Sequence, residues 1–189
     1  MASKIKVDQL ETADGSGTIA LQNQFSGMTL ASIPTLDYTK LPSNSMVSYH
    51  TSVLNTTNGV TFNSGDYADS GLSITLTPKS TSSKFEIIIH GATEMNNNNS
   101  PGHSGQDHRI LRDSTMIVAG RWNEYMNPTW ASSDFYPWLN IVHIDSPNTT
   151  SSVTYKFQGR KYSGANNSWK FGMNTGGTAF AHMIIKEIL

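Results

Sequence analysis

The stretch Leu72-Ser73-Ile74-Thr75-Leu76-Thr77 alternates apolar and hydroxyl side chains at every position, and Pro78 follows it. A repeat of two residues places alternate side chains on opposite faces of a β-strand. Proline has no amide hydrogen to donate to a ladder, so it ends the pattern. This stretch therefore predicts a β-strand that ends at Thr77.

Further segments along the chain have the same strand-like character, and turn-forming residues separate them all. No window of a dozen residues keeps a helical period of 3.6 without Gly, Pro or β-branched interruptions. Short strands at this spacing are typical of an all-β sandwich or barrel. The further predicted strands are 46–53, 60–62, 84–91, 110–111, 116–119, 135–144, 153–159, 169–171 and 179–189.

The composition excludes several classes of protein. Of 189 residues, 24 are Ser, 20 Thr and 16 Asn, while 14% are charged and the formal net charge is −1. This charge balance excludes a polybasic nucleic-acid binder, because no positive field exists to displace counterions from phosphates. No apolar run is long enough to span a membrane, and no secretory signal opens the chain, so we expect a soluble protein. The absence of Cys excludes disulfides, thiolate metal sites and Cys nucleophiles.

Residues 1–45 differ in composition from residues 46–189 and predict an N-terminal arm followed by a linker. Two short strand-like segments flank a Gly-rich turn at 14–17, and they are too short to be stable alone. Residues 29–45 contain two prolines among small polar residues, as extended linkers do. A floppy terminus and an arm that becomes ordered on a partner both fit this pattern. The apolar positions that would attach such an arm are Ile5, Val7, Leu10, Ile19 and Leu21.

The last strand, 179–189, is apolar on both faces as far as Ile185. A strand covered on both faces is central in its sheet or lies against another subunit. Because such a strand fixes the C terminus, we expect attachment to other proteins through the N-terminal arm. The predicted subunit contacts are Phe180, His182, Ile184 and Ile185.

Four stretches follow one another in a distinctive order: Leu76–Lys84, Arg109–Ile117, Asp145–Lys156 and Met183–Ile188. Together they resemble the jelly-roll knobs of phage structural proteins, whose topology is similar to that of complement C1q and tumour-necrosis-factor domains. The opening residues Ser3–Asp8 also resemble those of tail- and fibre-associated proteins of marine phages. The resemblance implies a homotrimer, a location in the virion and no enzymatic activity.

Residues His103, Asp107 and His108 are the metal-ligand types in closest sequence proximity. Two imidazoles and a carboxylate suit zinc or nickel. The preceding Asn- and Gly-rich residues predict a solvated loop without a rigid scaffold, so we expect no metal here. Three copies of one His on a trimer axis remain the form in which an ion would fit best.

The aromatic stretch 121–130 is the strongest ligand-binding candidate, because Trp122, Tyr125 and Trp130 stand in a polar, Pro-containing segment read as a connection. Flat aromatic faces beside amides bind sugar rings, and aromatics also anchor protein interfaces. Core packing or a place in the subunit seam is the alternative for these side chains.

Signals for catalysis are weak. No Gly-x-Ser-x-Gly stands between a strand and a helix, no Gly-rich phosphate loop is present, and residues 66–71 lack the ligand order of a calcium loop. We therefore predict no catalytic residues and no cofactor. The sequence favours a trimeric fibre or spike-like virion protein that contacts a host-surface glycan. A capsid decoration protein, a C1q-like lectin and a carbohydrate-active enzyme are the alternatives.

Overall fold

A computed structural model describes residues 38, 41–54, 56, 58–95, 102–126, 136–162, 168–172 and 180–189, with side chains omitted at 102–104 and 122–126. The chain divides into two compact units, Met1–Asp37 and Tyr38–Leu189. Within the described ranges, no helix has the length and hydropathy needed to span a bilayer.

The described part of the second unit contains ten β-strands. Their bounds are β1 Met46–Val53, β2 Val60–Phe62, β3 Ala68–Leu76, β4 Lys84–Met95, β5 Gly102–Arg112, β6 Thr115–Met126, β7 Trp138–Asp145, β8 Val153–Lys161, β9 Trp169–Phe171 and β10 Ala181–Ile188.

The strands form two antiparallel sheets that pack as a β-sandwich, which confirms the predicted fold class. The first sheet has the order β1-β10-β4-β9-β2, and β7 pairs with β4 as well. The second sheet has the order β3-β8-β5-β6. Since sequence neighbours such as β3 and β4 lie in different sheets, the chain crosses repeatedly between the layers, as it does in jelly rolls.

Most strand bounds agree with the sequence, and the largest difference lies in the β5–β6 hairpin. The sequence predicted only residues 110–111 and 116–119 there, whereas the strands reach back to Gly102 and forward to Met126. Polar residues and Gly occupy most of the extra positions, so side-chain hydropathy gives little strand signal. Backbone pairing in register, from Gly102 with Met126 to Arg112 with Thr115, determines the structure instead.

The core between the sheets is built around aromatic side chains. Phe62 stacks on Trp169 at a centroid distance of 4.5 Å, and Phe157 contacts Phe171 at 4.9 Å. Gly159 lies under the first pair, and a Cβ there would overlap Trp169 and Phe62. This close approach explains why a strand interior holds a glycine.

Two buried carboxyl groups join segments that are distant in sequence. Glu187 accepts hydrogen bonds from Ser48 Oγ at 2.9 Å, Ser83 Oγ at 2.6 Å and the amide of Lys79 at 2.5 Å. It therefore fastens β1 and the β3–β4 turn to β10.

Asp145 at the end of β7 makes the second junction. It accepts hydrogen bonds from Arg112 Nη1 at 2.8 Å and from the buried Tyr155 hydroxyl at 2.6 Å. Burial, followed by the Asp145 carboxyl, raises the pKa of Tyr155, so this hydroxyl remains a donor. The contact links β7 to both β5 and β8.

Candidate functional site

The predicted metal ligands lie on a strand rather than in a loop. His103, Asp107 and His108 are all in β5, so the prediction of a solvated loop is wrong at these positions. Adjacent strand residues point to opposite faces, which separates Asp107 from His108. Within the described part of the chain, no group of three or more His, Cys, Asp or Glu side chains could hold a metal ion.

Asp107 is instead the centre of an ion-pair network on the outward face of the second sheet. Arg121 donates from Nε to Oδ1 at 2.6 Å and from a terminal nitrogen to Oδ2 at 3.0 Å. Arg160 donates from Nε to Oδ2 at 2.9 Å. Burial alone would raise the pKa of Asp107, but these hydrogen bonds and charges outweigh it and leave the pKa below its usual value of 3.8.

His108 faces inward, beside Phe157 and against Gly120. Its Nδ1 and the Oε1 of Gln106, two positions earlier, are buried and have no hydrogen-bond partner among the described residues. Burial lowers the pKa of His108 from 6.5, and the nearby Asp107 charge opposes this shift only in part. The folded chain thus holds a neutral imidazole in its interior.

This imidazole predicts a loss of stability in mild acid. The unfolded chain takes up a proton at His108 near pH 6.5, while the folded chain does so only at lower pH. The free energy of unfolding should therefore be highest above pH 6.5 and should decline as the pH falls below it. Urea unfolding at pH 7.5, 6.5 and 5.5 measures this slope.

The variant His108→Gln keeps a polar side chain of similar size but has no proton to gain. We expect it to show a smaller decline between pH 6.5 and 5.5 than the parent chain. An identical slope in both proteins would show that His108 does not control the effect.

The predicted aromatic contact site is only partly described. Trp122 and Tyr125 lie in β6, paired with Gln106 and His103, so the prediction that they stand in a connection is wrong. Trp130 lies outside the described residues, and so do the five predicted attachment positions Ile5, Val7, Leu10, Ile19 and Leu21.

The second unit begins at Tyr38, before the boundary predicted at 45/46. The backbone groups of Asn44 and Ser45 are hydrogen-bonded to Leu189, so these residues belong to the second unit.

The outward surface of the first sheet exposes several large apolar side chains. Along β7 the exposed positions are Trp138, Asn140, Val142 and Ile144, and Val142 is 65% exposed. Cross-strand pairing continues this surface over β4, β10 and β1. We call this surface the apolar face; its apolar members are Tyr49, Val53, Ile88, Trp138, Val142, Ile144, Phe180 and Ile184.

One end of the apolar face is an aromatic cluster. His90 stacks on Trp138 at 5.0 Å, and Phe180 meets Trp138 edge-on at 5.5 Å. The His182 ring meets the Phe180 ring edge-on at a centroid distance of 5.3 Å, and Asn140 is hydrogen-bonded to His90. The cluster is held in place although Trp138 is 55% exposed.

The two charged side chains opposite each other on the apolar face are paired within the chain. Lys186 and Glu86 are opposite each other on β10 and β4 and form an ion pair at 2.6 Å. A second protein surface could therefore approach the middle of the face without meeting an excess of one charge, and Lys84 adds a positive charge only at the end of β4. Monomeric proteins rarely leave an apolar surface of this kind in water, and such surfaces mark interaction sites.

The predicted subunit contacts fall on both sides of this sheet. Phe180, His182 and Ile184 lie on the apolar face, whereas Ile185 is fully buried in the chain's own core. Ile185 is thus removed from the predicted contact set. β10 is confirmed as a central strand, between β1 and β4.

The outward residues Trp138, Val142 and Ile144 were not predicted from the sequence. The segment 138–145 carries apolar residues on both faces, with Leu139 and Ile141 inward, so alternation alone could not identify the outward set. The exposed Trp and the pairing of β7 with β4 identify it in three dimensions.

No protein-family model matches this chain, and no curated protein sequence matches it. Among solved structures, the VP2 subviral particle of infectious bursal disease virus is similar at 12% identity and a TM-score of 0.40, over 82% of this chain and 41% of that chain. The insecticidal delta-endotoxin Cry8Ea1 from Bacillus thuringiensis is similar at 16% identity and a TM-score of 0.38, over 69% and 19%.

Dimeric latent PorU from Porphyromonas gingivalis is similar at 8% identity and a TM-score of 0.40, over 78% of this chain and 13% of that chain. This chain spans well under two thirds of each of these three proteins. At such scores the similarities carry no argument about function.

Proposed function

We propose that this chain is a non-enzymatic structural protein of a phage virion. In this proposal, residues 38–189 form the knob of a homotrimeric fibre or spike, and the N-terminal segment attaches the knob to another virion protein. The apolar face is buried between the three subunits, and the remaining surface is available to the host.

The apolar face is the observation that carries the proposal. Its occupant should be a second copy of this chain, because most of the face is uncharged and its Lys186–Glu86 ion pair is already closed within each subunit. Closed symmetry would cover every copy of the face and leave no apolar surface for further growth. The proposal of three subunits, rather than another number, is based on the resemblance of the sequence to trimeric knobs.

The same trimer and arm would serve a capsid decoration protein that binds no receptor. An adsorption role is favoured by a second surface, which the apolar contact leaves free: an open cleft on the outward face of the second sheet, lined by Arg109, Arg121 and Arg160. Ligand binding at this cleft would therefore distinguish an adsorption protein from a decoration protein.

Removal of residues 1–37 tests the attachment role. The truncated chain retains the whole second unit, so we expect it to fold and assemble but to be absent from purified particles. Particle incorporation is measured by quantitative mass spectrometry of virions, and a thermal melt shows that the truncated chain is folded.

Two finer variants locate the contact. The double variant Ile5→Asp/Val7→Asp should lower incorporation, whereas Lys4→Ser/Lys6→Ser, at the alternating positions, should retain it. Normal incorporation of the truncated chain would overturn the proposed attachment.

A further inference from the structure

The outward face of the second sheet carries an open cleft of about 560 Å³ that neither the fold nor the apolar contact uses. Three arginines line it, Arg109, Arg121 and Arg160, together with Asp107 and Tyr67. Three guanidinium groups and one carboxylate give an excess of positive charge, in a chain whose formal net charge is −1.

The arginines are held in place before any ligand arrives. Asp107 fixes Arg121 and Arg160 through the hydrogen bonds described above, and its own side chain is only 3% exposed. The guanidinium centres of Arg109 and Arg160 lie 4.0 and 4.4 Å from the Tyr67 ring centre, within the range of cation–π attraction. Planar donors fixed in this way lose little conformational freedom when they bind.

Of the three cleft arginines, Arg109 has both terminal nitrogens without an acceptor among the described residues. Its Nε donates to Gln158 Oε1 at 2.7 Å, and no described residue accepts a hydrogen bond from its two terminal nitrogens. Such a free guanidinium edge fits the two oxygens of a carboxylate or sulfate. Beside it, Ala119 is paired with Arg109 across the strands, and the exposed Met116 adds apolar surface.

We infer that this cleft binds an acidic saccharide, with the anionic group on Arg109 and a sugar ring against the Ala119 and Met116 surface. A sugar ring offers both an apolar face and hydroxyl groups, which suits a shallow cleft with apolar and guanidinium walls. The inference deepens the proposed adsorption role and rests on it for the biological source of the ligand.

Isothermal titration calorimetry with the full chain tests the inference with four probes. These are an oligogalacturonate, a sulfated oligosaccharide, a neutral malto-oligosaccharide of equal length and inorganic sulfate. We expect the carboxylated or the sulfated sugar to bind, and whichever binds more tightly identifies the anionic group. The neutral sugar should not bind, and inorganic sulfate should bind at least tenfold more weakly than the better acidic sugar.

Two variants locate the site. Arg109→Gln should weaken binding about tenfold or more, because it removes the free fork without disturbing Asp107. Ala119→Glu, at an exposed position, places a carboxylate directly opposite Arg109 and should abolish binding even if Arg109→Gln proves poorly folded. The matched control is Lys156→Gln, which removes a positive charge on the same sheet, near Asp69, and should change affinity less than twofold.

Three results would overturn the inference: no binding of either acidic sugar at millimolar concentration, equal binding of inorganic sulfate, or equal loss in Arg109→Gln and Lys156→Gln. None of these results depends on trimer formation or particle incorporation. Failure of the cleft is therefore distinguishable from failure of the proposed virion role.

Discussion

The variant Glu187→Ala should lower the free energy of unfolding by about 3–5 kcal/mol. Glu187 is 1% exposed, and its carboxyl oxygens accept from two Ser hydroxyls and one backbone amide. Alanine leaves a cavity and removes the acceptor of the fully buried Ser83 hydroxyl and of the Lys79 amide. In a domain of this size, such a loss corresponds to a drop in Tm of about 10 °C.

Glu187→Gln is the matched control for size. Its amide oxygen can still accept from Ser83 and Lys79, and its NH₂ group can donate to the Ser48 hydroxyl, so we expect a loss of about 1 kcal/mol. Urea unfolding of all three proteins at one fixed concentration measures the difference, because association would otherwise shift the midpoints. Equal stability of the alanine variant and the parent chain would show that Glu187 does not fasten the β3–β4 turn.

The stretches that suggested a phage knob meet in pairs at the two buried carboxyl groups. Glu187 joins Met183–Ile188 to Leu76–Lys84, through Lys79 and Ser83. Asp145 joins Asp145–Lys156 to Arg109–Ile117, through Arg112. These stretches therefore carry information about how the sheets are held together, which explains how they can indicate a fold.

The sandwich was predictable because most core strands alternate strongly between apolar and polar residues. β3 and β8 show this pattern, as Leu72, Ile74, Tyr155 and Phe157 point inward between polar neighbours. The β5–β6 hairpin was underestimated because its outer halves are polar and Gly-rich. There the strand is stabilised by backbone pairing and by the Arg121–Asp107 ion pair, which hydropathy patterns do not report.

The candidate site was less predictable than the fold, since it depends on strand order. Arg109 and Arg121 share the β5–β6 hairpin, whereas Arg160 is distant in sequence and joins them only because β8 lies beside β5. The same order places Asp107 between two arginines, which removes it from the metal ligands suggested by its sequence neighbours. Periodicity identifies faces of strands, but it does not identify which strands are adjacent.

The variant Val142→Asp should convert the proposed trimer to monomers while leaving the subunit folded. Val142 is 65% exposed in a single chain, so the carboxylate remains hydrated there and costs the fold less than about 1 kcal/mol. In a buried contact the same carboxylate would lack a partner in every subunit, at a cost of several kcal/mol each. Sedimentation velocity at micromolar concentration should give three times the 20.7 kDa chain mass for the parent and the mass of one chain for the variant.

Met116→Asp is the matched control, since Met116 is apolar, 55% exposed and on the outward face of the other sheet. It makes the same change from an apolar to an acidic side chain, and we expect the trimer to persist. The Tm of the Val142→Asp monomer should be lower than that of the parent only by the contribution of assembly to stability. Its far-UV circular dichroism spectrum should be unchanged. A parent chain that sediments as a monomer would overturn the homotrimer, and a trimeric Val142→Asp would move the subunit contact away from the apolar face.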